Sequence, residues 1–274
     1  MKKIFLLLFP ILFLTASCEE VVEVDLETAA PRLVIDASIN WVKGTTGNEQ
    51  TIRLTTTTGY YNPQIPVVSG ATVYITNSAG TVFDFIEQPG TGNYNCTNFI
   101  PVIGENYTLT VISEGQTYRA TEMLYPTPDI EEIVQDNEGG FLNEDVEVRF
   151  FYPDNGATDN WYMYRFDWAG LPYPDYDVIE DKFFQGNQMF GIFSDEDLAP
   201  GQQLRMRLYG ISQRYYNYMQ ILISMAEGGA GSGPFQSPPT TLRSNMVNQT
   251  NEDNYALGYF RLGEVSDLTY TIAP

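Results

Sequence analysis

The sequence of 274 residues contains no histidine, and this absence removes several kinds of chemistry. Hydrolases of the Ser-His-Asp and Cys-His types need an imidazole as their general base, and zinc sites commonly use histidine as a ligand. Any catalysis would have to depend on paired carboxylates, lysine, tyrosine or a metal held by oxygen atoms. The sequence therefore indicates no catalytic, cofactor-binding or metal-binding residue.

Positive charge is also scarce, since 14 Lys and Arg residues stand against 35 Asp and Glu residues and give a formal net charge of −21. A chain this acidic is repelled by nucleic acids and by anionic membrane surfaces. We therefore exclude binding to nucleic acid. The acidity is interpreted as a contribution to solubility at a crowded surface, and binding of a cationic or metal-complexed ligand is the alternative.

Long apolar runs are scarce as well, and the run from Ile4 to Leu14 is shorter than the ~20 residues of a membrane-spanning helix. It follows two lysines and leads through the small residues Ala16 and Ser17 into Cys18, as in a bacterial lipoprotein signal. We predict that residues 1–17 are removed and that Cys18 becomes the acylated, membrane-anchored N-terminus. Cleavage of an ordinary secretory signal near Ser17 is the alternative.

Only two cysteines are present, so acylation of Cys18 leaves Cys96 without a disulfide partner. A lone cysteine in an exported chain usually behaves as a small buried apolar residue. Residues 18–30 carry several acids, and we predict that they form an acidic tether, with a solvated linker as the simpler interpretation.

Residues 31–125 contain about seven short segments in which apolar and polar residues alternate, separated by turn signals at roughly ten-residue spacing. In the first segment, Leu33, Ile35, Ala37 and Ile39 are predicted to face inward. No helical period occurs in this part of the sequence. The pattern predicts an N-terminal immunoglobulin- or fibronectin-like β-sandwich.

The segment from Pro126 to Asp129 predicts a linker, because two prolines favour an extended backbone after a completed set of strands. Residues 129–274 are then predicted to form a second, strand-rich domain, in which residues 169–193 are irregular. One late helix is predicted near residues 213–226, with Ser212 as its N-cap. The predicted strands of this domain are Ile130–Val134, Val146–Tyr152, Trp161–Trp168, Gln203–Tyr209, Tyr255–Leu262 and Leu268–Ile272.

Aromatic residues in two irregular stretches are the candidates for contact with a ligand or partner. Trp168, Tyr173 and Tyr176 lie in a Pro-rich stretch, and exposed aromatic rings there would stack on sugars or anchor an interface. Phe235 lies in the Gly- and Pro-rich stretch 228–241, which we interpret as a flexible connector or as a mobile binding loop. Packing of the first three aromatic residues into a core is the alternative.

Two acidic loops offer the oxygen ligands that calcium takes, which number six to eight. One is Ser194 to Asp197, and the other combines Asp154 and Asn155 with Asp159 and Asn160. Neither has the ligand spacing of an EF-hand. Acidic turns in an acidic chain are usually solvated, so bound calcium is the less favoured interpretation and no other cofactor is predicted.

Several motifs of the chain together resemble a family of Bacteroidota lipoproteins named only as domain of unknown function 4249. The tail carries most of the resemblance, and shorter motifs near the first strands agree with it. The motifs are Tyr215-Tyr216 with Tyr218, Gly233-Pro234-Phe235, Pro238-Pro239, Ser244-Asn245, Leu257-Gly258-Tyr259-Phe260, Leu33-Val34-Ile35, Val68-Ser69-Gly70-Ala71-Thr72-Val73 and Gly104-Glu105-Asn106-Tyr107-Thr108-Leu109.

The resemblance implies no activity and supplies no catalytic residues, but members of the family tend to be encoded beside TonB-dependent outer-membrane transporters. It therefore implies a non-enzymatic accessory lipoprotein that binds the transporter, its cargo or both. Acids directly after Cys18 favour the surface-exposed face of the outer membrane over the periplasmic face. The alternatives are a surface glycan hydrolase with paired carboxylates and an adhesion or structural lipoprotein.

Overall fold

The computed structural model describes residues 30–59, 62–142, 144–226 and 242–274, of which Pro31–Pro274 belong to one compact unit. Cys18 and Phe235, both predicted as site residues, lie outside these ranges. Within them, no helix has the length and apolar character needed to cross a membrane.

The chain is mainly β, with one α-helix among the described residues. In order, the elements are β1 (Leu33–Val42), β2 (Gln50–Thr56), β3 (Thr72–Asn77), β4 (Val82–Gln88), β5 (Asn93–Cys96), β6 (Asn106–Ser113), β7 (Gln116–Tyr125), β8 (Glu132–Gly139), β9 (Asp145–Pro153), β10 (Trp161–Trp168), β11 (Asp175–Glu180), β12 (Gln188–Asp195), β13 (Gln203–Ile211), α1 (Gln213–Ala226), β14 (Val247–Asn248) and β15 (Leu257–Thr271).

Strands β1 to β7 form a closed ring with β15, in the order β15-β1-β2-β5-β4-β3-β6-β7 and back to β15. Strand β15 closes the ring because it runs parallel to β1 on one side and to β7 on the other. Alternation along β1 points Ile35, Ala37 and Ile39 into the ring, where none of them is exposed. The seven predicted strands and their inward residues are therefore confirmed, but the eighth strand closes them into a ring.

The same strand continues beyond the ring into an extension of the 12-stranded sheet, ordered β11-β10-β13-β15, which we call the second sheet. Residues Leu257–Val265 pair with β1, and Val265–Thr271 pair with β13. The two strands predicted at 255–262 and 268–272 are thus one strand of 15 residues. Because it lies in both sheets, the two predicted domains share a strand within one compact unit.

The segment predicted as a linker is bonded to this shared strand. The backbone N–H of Thr127 donates to the Glu264 carboxylate at 3.1 Å, and the N–H of Ile130 donates to the Ser266 hydroxyl at 3.1 Å. A Cβ at Gly210 would overlap the carbonyl oxygen of Pro126, so the segment also packs closely on β13. It is therefore a packed connection.

A three-stranded sheet, β12-β9-β8, packs on one face of β10 and β13. The core between them is aromatic. The Phe150 ring lies edge-on to the Tyr164 ring with 5.2 Å between their centres, and the ring centres of Phe166 and Phe193 are 5.3 Å apart. Strands β11 and β12 occupy the stretch predicted to be irregular, so that prediction was wrong. Phe190 and Ile192 are exposed on β12 while their neighbours are buried, which hides the alternation in the sequence.

Helix α1 covers the other face of β10, β13 and β15, within the residues predicted for it. The Ser212 hydroxyl caps it by accepting a hydrogen bond from the N–H of Tyr215 at 3.1 Å. Tyr215 and Met219 are the buried residues of the helix and pack with Tyr209 and Tyr259. The second sheet therefore lies between α1 and the three-stranded sheet.

We predict that Gly258→Ala destabilises the fold more than Gly115→Ala does. Both glycines have a positive φ, +86° and +73°, which costs an alanine about 1–2 kcal/mol. A Cβ at Gly258 would also overlap the carbonyl oxygen of Ile35 across the β1–β15 pairing, whereas open space surrounds Gly115. Urea unfolding should show at least about 1 kcal/mol of additional loss for Gly258→Ala. Equal losses would contradict this packing.

Candidate functional site

A cleft of about 670 Å³ lies between α1 and the outer faces of β1 and β2. Its volume falls in the range of small-molecule pockets, roughly 300–1,000 Å³. Strands β10, β11, β13 and β15 also contribute side chains to it.

The first wall of the cleft is polar because β1 and β2 alternate: their apolar residues point into the ring, and the polar residues between them point outward to the cleft. In β1 the residues between the inward apolar ones are Asp36, Ser38 and Asn40, and they line the cleft. Thr51 and Arg53 of β2 line it for the same reason, since Ile52 and Leu54 point inward. The pattern that builds the core therefore also builds this wall.

The second wall is one face of α1. Tyr215, Met219, Leu222, Ile223 and Ala226 line the cleft, and their spacing of four, seven, eight and eleven residues places them on one side of a helix. Tyr215 and Met219 are buried at the base of the wall, and Leu222 is partly exposed above them. This wall is largely apolar.

Arg261 of β15 lies between the two walls with only 7% of its surface exposed. Its Nη2 donates to Asn40 Oδ1 at 2.9 Å, and its guanidinium lies 5.0 Å from the ring centre of Tyr209 and 5.3 Å from that of Tyr215. Nε and Nη1 have no hydrogen-bond partner among the described residues. No carboxylate there forms an ion pair with Arg261 either.

The Arg261 charge influences the tyrosine beside it. Burial raises the pKa of Tyr215, and the positive charge of Arg261 acts in the opposite direction. The ring faces of Tyr209 and Tyr215 give the guanidinium some cation–π stabilisation, but they do not replace a counter-charge.

A second group of arginines borders the cleft. Arg165 donates to Asp167 through Nε at 3.0 Å and through Nη2 at 2.6 Å, and Arg207 Nη2 donates to the same carboxylate at 2.5 Å. Burial acts to raise the pKa of Asp167, but the hydrogen bonds from both arginines outweigh it and lower that pKa. Two guanidiniums share one carboxylate, so the group keeps a net positive charge beside the cleft.

The described lining contains three arginines, Arg53, Arg165 and Arg261, and one carboxylate, that of Asp36. Arg53 lies opposite Asp36 in the β1–β2 pairing, and no ion pair within 4 Å joins Arg53 to any described carboxylate. The cleft is thus a positively charged region in a chain whose formal net charge is −21.

The structure separates the aromatic residues predicted as contacts. Trp168 is 7% exposed and packs in the aromatic core, where its Nε1 donates to Gln202 Oε1 at 2.9 Å, so the alternative of core packing holds for it. Tyr173 is 81% exposed between β10 and β11. Tyr176 lines the cleft, and its ring centre lies 5.5 Å from the guanidinium carbon of Arg165. Phe235 lies outside the described residues.

The acidic loops use their oxygen atoms within the protein. Asp154 accepts hydrogen bonds from the hydroxyl of Tyr162 at 2.7 Å and from the N–H of Gly186 at 2.8 Å. Asp195 accepts one from the N–H of Asp197 at 2.9 Å. In the described part of the chain, no group of three or more His, Cys, Asp or Glu residues is arranged to hold a metal ion. Calcium binding stays a prediction without a located site.

Glu122 is a buried carboxyl group outside the cleft. Burial raises its pKa, and hydrogen bonds from Asn245 at 3.0 Å and from the hydroxyl of Tyr259 at 3.4 Å act against that rise. These bonds join β7, the segment before β14, and β15. The arrangement therefore explains Glu122 as a structural residue that holds three parts of the chain together.

Sequence reasoning missed Arg261, Arg165 and the outward residues of β1. A signal for Arg261 is present, since it is the one charged residue between Leu257 and Gly263, in a strand whose flanking residues Phe260 and Leu262 are buried. A charge is rarely buried without a partner or a role. The walls that meet around it come from residues more than 160 positions apart in the sequence, and no local pattern reveals such a meeting.

Comparison with known proteins gives one strong match. A family model described as "Domain of unknown function (DUF4249)" matches residues 19–269. No curated protein matches the chain in sequence.

Three of the solved structures that match the chain have low sequence identities and low TM-scores. A two-domain fibronectin type III segment from chicken tenascin is 11% identical with a TM-score of 0.21, covering 66% of this chain and 90% of its own. A DUF4785 family protein from Legionella pneumophila is 9% identical with a TM-score of 0.27, covering 65% and 52%. A cytokine receptor complex is 9% identical with a TM-score of 0.25, covering 88% and 97%. TM-scores this low assign neither a fold nor a function to this chain.

We predict that Arg261→Met changes the free energy of unfolding by less than about 1 kcal/mol, in either direction. A methionine of similar length removes a buried charge that has no ion pair in the described part of the chain, and this gain offsets the lost contacts to Asn40 and the two tyrosines. Asp167→Ala is the control, because it leaves Arg165 and Arg207 without their shared carboxylate and should cost about 2 kcal/mol or more. Urea unfolding measures the free energy of unfolding of both variants. A loss of stability above about 1 kcal/mol for Arg261→Met would contradict the prediction and would make Arg261 a structural residue.

Proposed function

Because the chain belongs to the family described as Domain of unknown function (DUF4249), which assigns no activity, we propose its function from the cleft. We propose that the protein is a non-enzymatic outer-membrane lipoprotein that binds cargo as an accessory subunit of a TonB-dependent uptake system. The observation that carries this proposal is the cleft between α1 and the outer faces of β1 and β2, whose lining includes a buried arginine, Arg261, with no ion pair among the described residues.

The lining of the cleft favours binding over hydrolysis. Glycoside hydrolysis uses two carboxyl groups about 5–9.5 Å apart, on either side of the scissile bond. The described lining offers one carboxylate, Asp36, together with hydroxyl, amide, guanidinium and aromatic groups. Groups of these kinds orient a ligand and provide specificity in binding sites.

The rest of the chain supports a role at the membrane. Lipid attachment at Cys18 would anchor the protein in the outer membrane, with residues 18–30 as an acidic tether and with the surface-exposed face favoured. We also propose that residues 31–125 are an immunoglobulin- or fibronectin-like module. Their seven short strands support this part of the proposal. Exposed aromatic side chains away from the cleft, such as Phe141 and Tyr173, suit contact with a transporter.

The test is a pull-down of the tagged, lipidated full-length protein from its own outer membrane in mild detergent, with bound proteins identified by mass. The proposal predicts a TonB-dependent transporter in near-stoichiometric amount. Its matched control is Cys18→Ala, which should leave the protein outside the membrane fraction and remove the transporter from the eluate. A wild-type eluate without a transporter, together with no ligand bound by the soluble form, would contradict the proposal.

A further inference from the structure

We infer that the cleft binds a small anionic molecule with an apolar body, whose negative group lies beside Arg261 and Arg53 and whose body lies against α1. This inference rests on the proposed binding function and names the class of ligand. It is independent of the transporter, because it concerns the cleft alone.

The first step is the charge of Arg261. Moving a guanidinium out of water costs several kcal/mol unless a nearby opposite charge compensates for it. Arg261 donates one hydrogen bond to Asn40 and lies beside two tyrosine rings, but it forms no ion pair among the described residues. The open space beside it is the cleft, so a bound anion is the counter-charge that this geometry can accept.

The second step is the sign of the remaining charges. Arg53 lies at the cleft and forms no ion pair with a described residue, and Arg165 belongs to a group in which two guanidiniums share Asp167. Asp36 is the one acid among the described lining residues. A positive cleft in a chain of net charge −21 does not follow from composition, since acids outnumber bases by more than two to one.

The third step is the apolar wall. Met219, Leu222 and Ile223 of α1 stand opposite the polar wall of β1 and β2, and Leu222 is 37% exposed. A fully polar anion such as phosphate would leave this surface in contact with water. A ligand with an anionic end and an apolar or aromatic body satisfies both walls at once.

The test compares two fluorescent probes that differ by one anionic group. 8-Anilino-1-naphthalenesulfonate carries a sulfonate, and N-phenyl-1-naphthylamine has the same rings without it. Titration of the full mature protein should give an affinity for the sulfonate probe about tenfold higher than for the neutral probe. The advantage should shrink as salt is raised, because ions screen the arginines. Equal affinities, or tighter binding of the neutral probe, would overturn the inference.

Variants assign the preference to the cleft. Arg53→Gln should lower the affinity for the sulfonate probe about fivefold and Arg261→Met about tenfold, with the neutral probe changed less than about twofold. Arg119→Gln removes the same charge from a residue that does not line the cleft, so it is the matched control. An equal effect of Arg119→Gln and Arg53→Gln would mean that only the net charge matters, and the inference would fail.

A further variant separates this inference from the proposed function. Leu222→Trp fills the cleft from the exposed side of α1 and should weaken both probes by about tenfold or more. If it weakens both while the two wild-type affinities are equal, the cleft binds ligands but the anionic class is wrong. If it weakens neither, the probes bind elsewhere, and both the inference and the cleft as the binding site fail.

Discussion

Strand β15 is the constraint on which the rest of the structure depends. Its backbone groups must find partners along 15 residues, and they do so first with β1 and β7 and then with β13. A closed ring has no exposed edge, and the parallel pairings on both sides of β15 provide that closure. Because the strand continues into the second sheet, the ring and the aromatic core form one unit.

The cleft is a consequence of this shared strand. Phe260 and Leu262 point into the ring, so alternation places Arg261 on the outer face, where α1 covers the second sheet. The outward residues of β1 lie beside it because β1 pairs with β15 in parallel, with Ser38 opposite Arg261. A buried arginine that lacks an ion pair is costly to folding, and such costs are typical of functional sites, where binding compensates for them.

Local patterns predicted much of the fold. The alternation of Leu33 to Ile39 and of Trp161 to Trp168 was sufficient for β1 and β10, and the spacing of Tyr215 and Met219 with the cap at Ser212 was sufficient for α1. Strand β12 was missed because Phe190 and Ile192 make both of its faces apolar. Closure of the ring could not be predicted, since the pairing of Val34 with Leu257 joins distant parts of the sequence. The cleft is not predictable for the same reason, although one of its lining residues, Tyr176, is among the predicted contacts.

Hydrogen exchange along β15 under native conditions tests most directly whether the ring and the second sheet are one unit. Strand amides buried within a single cooperative unit exchange only through global unfolding. We expect the bonded amides of 257–265 and of 266–271 to show the same free energy of opening, and the same response to low concentrations of denaturant. A lower opening free energy confined to 266–271 would show that the second sheet unfolds independently and would contradict the shared strand as the organising element.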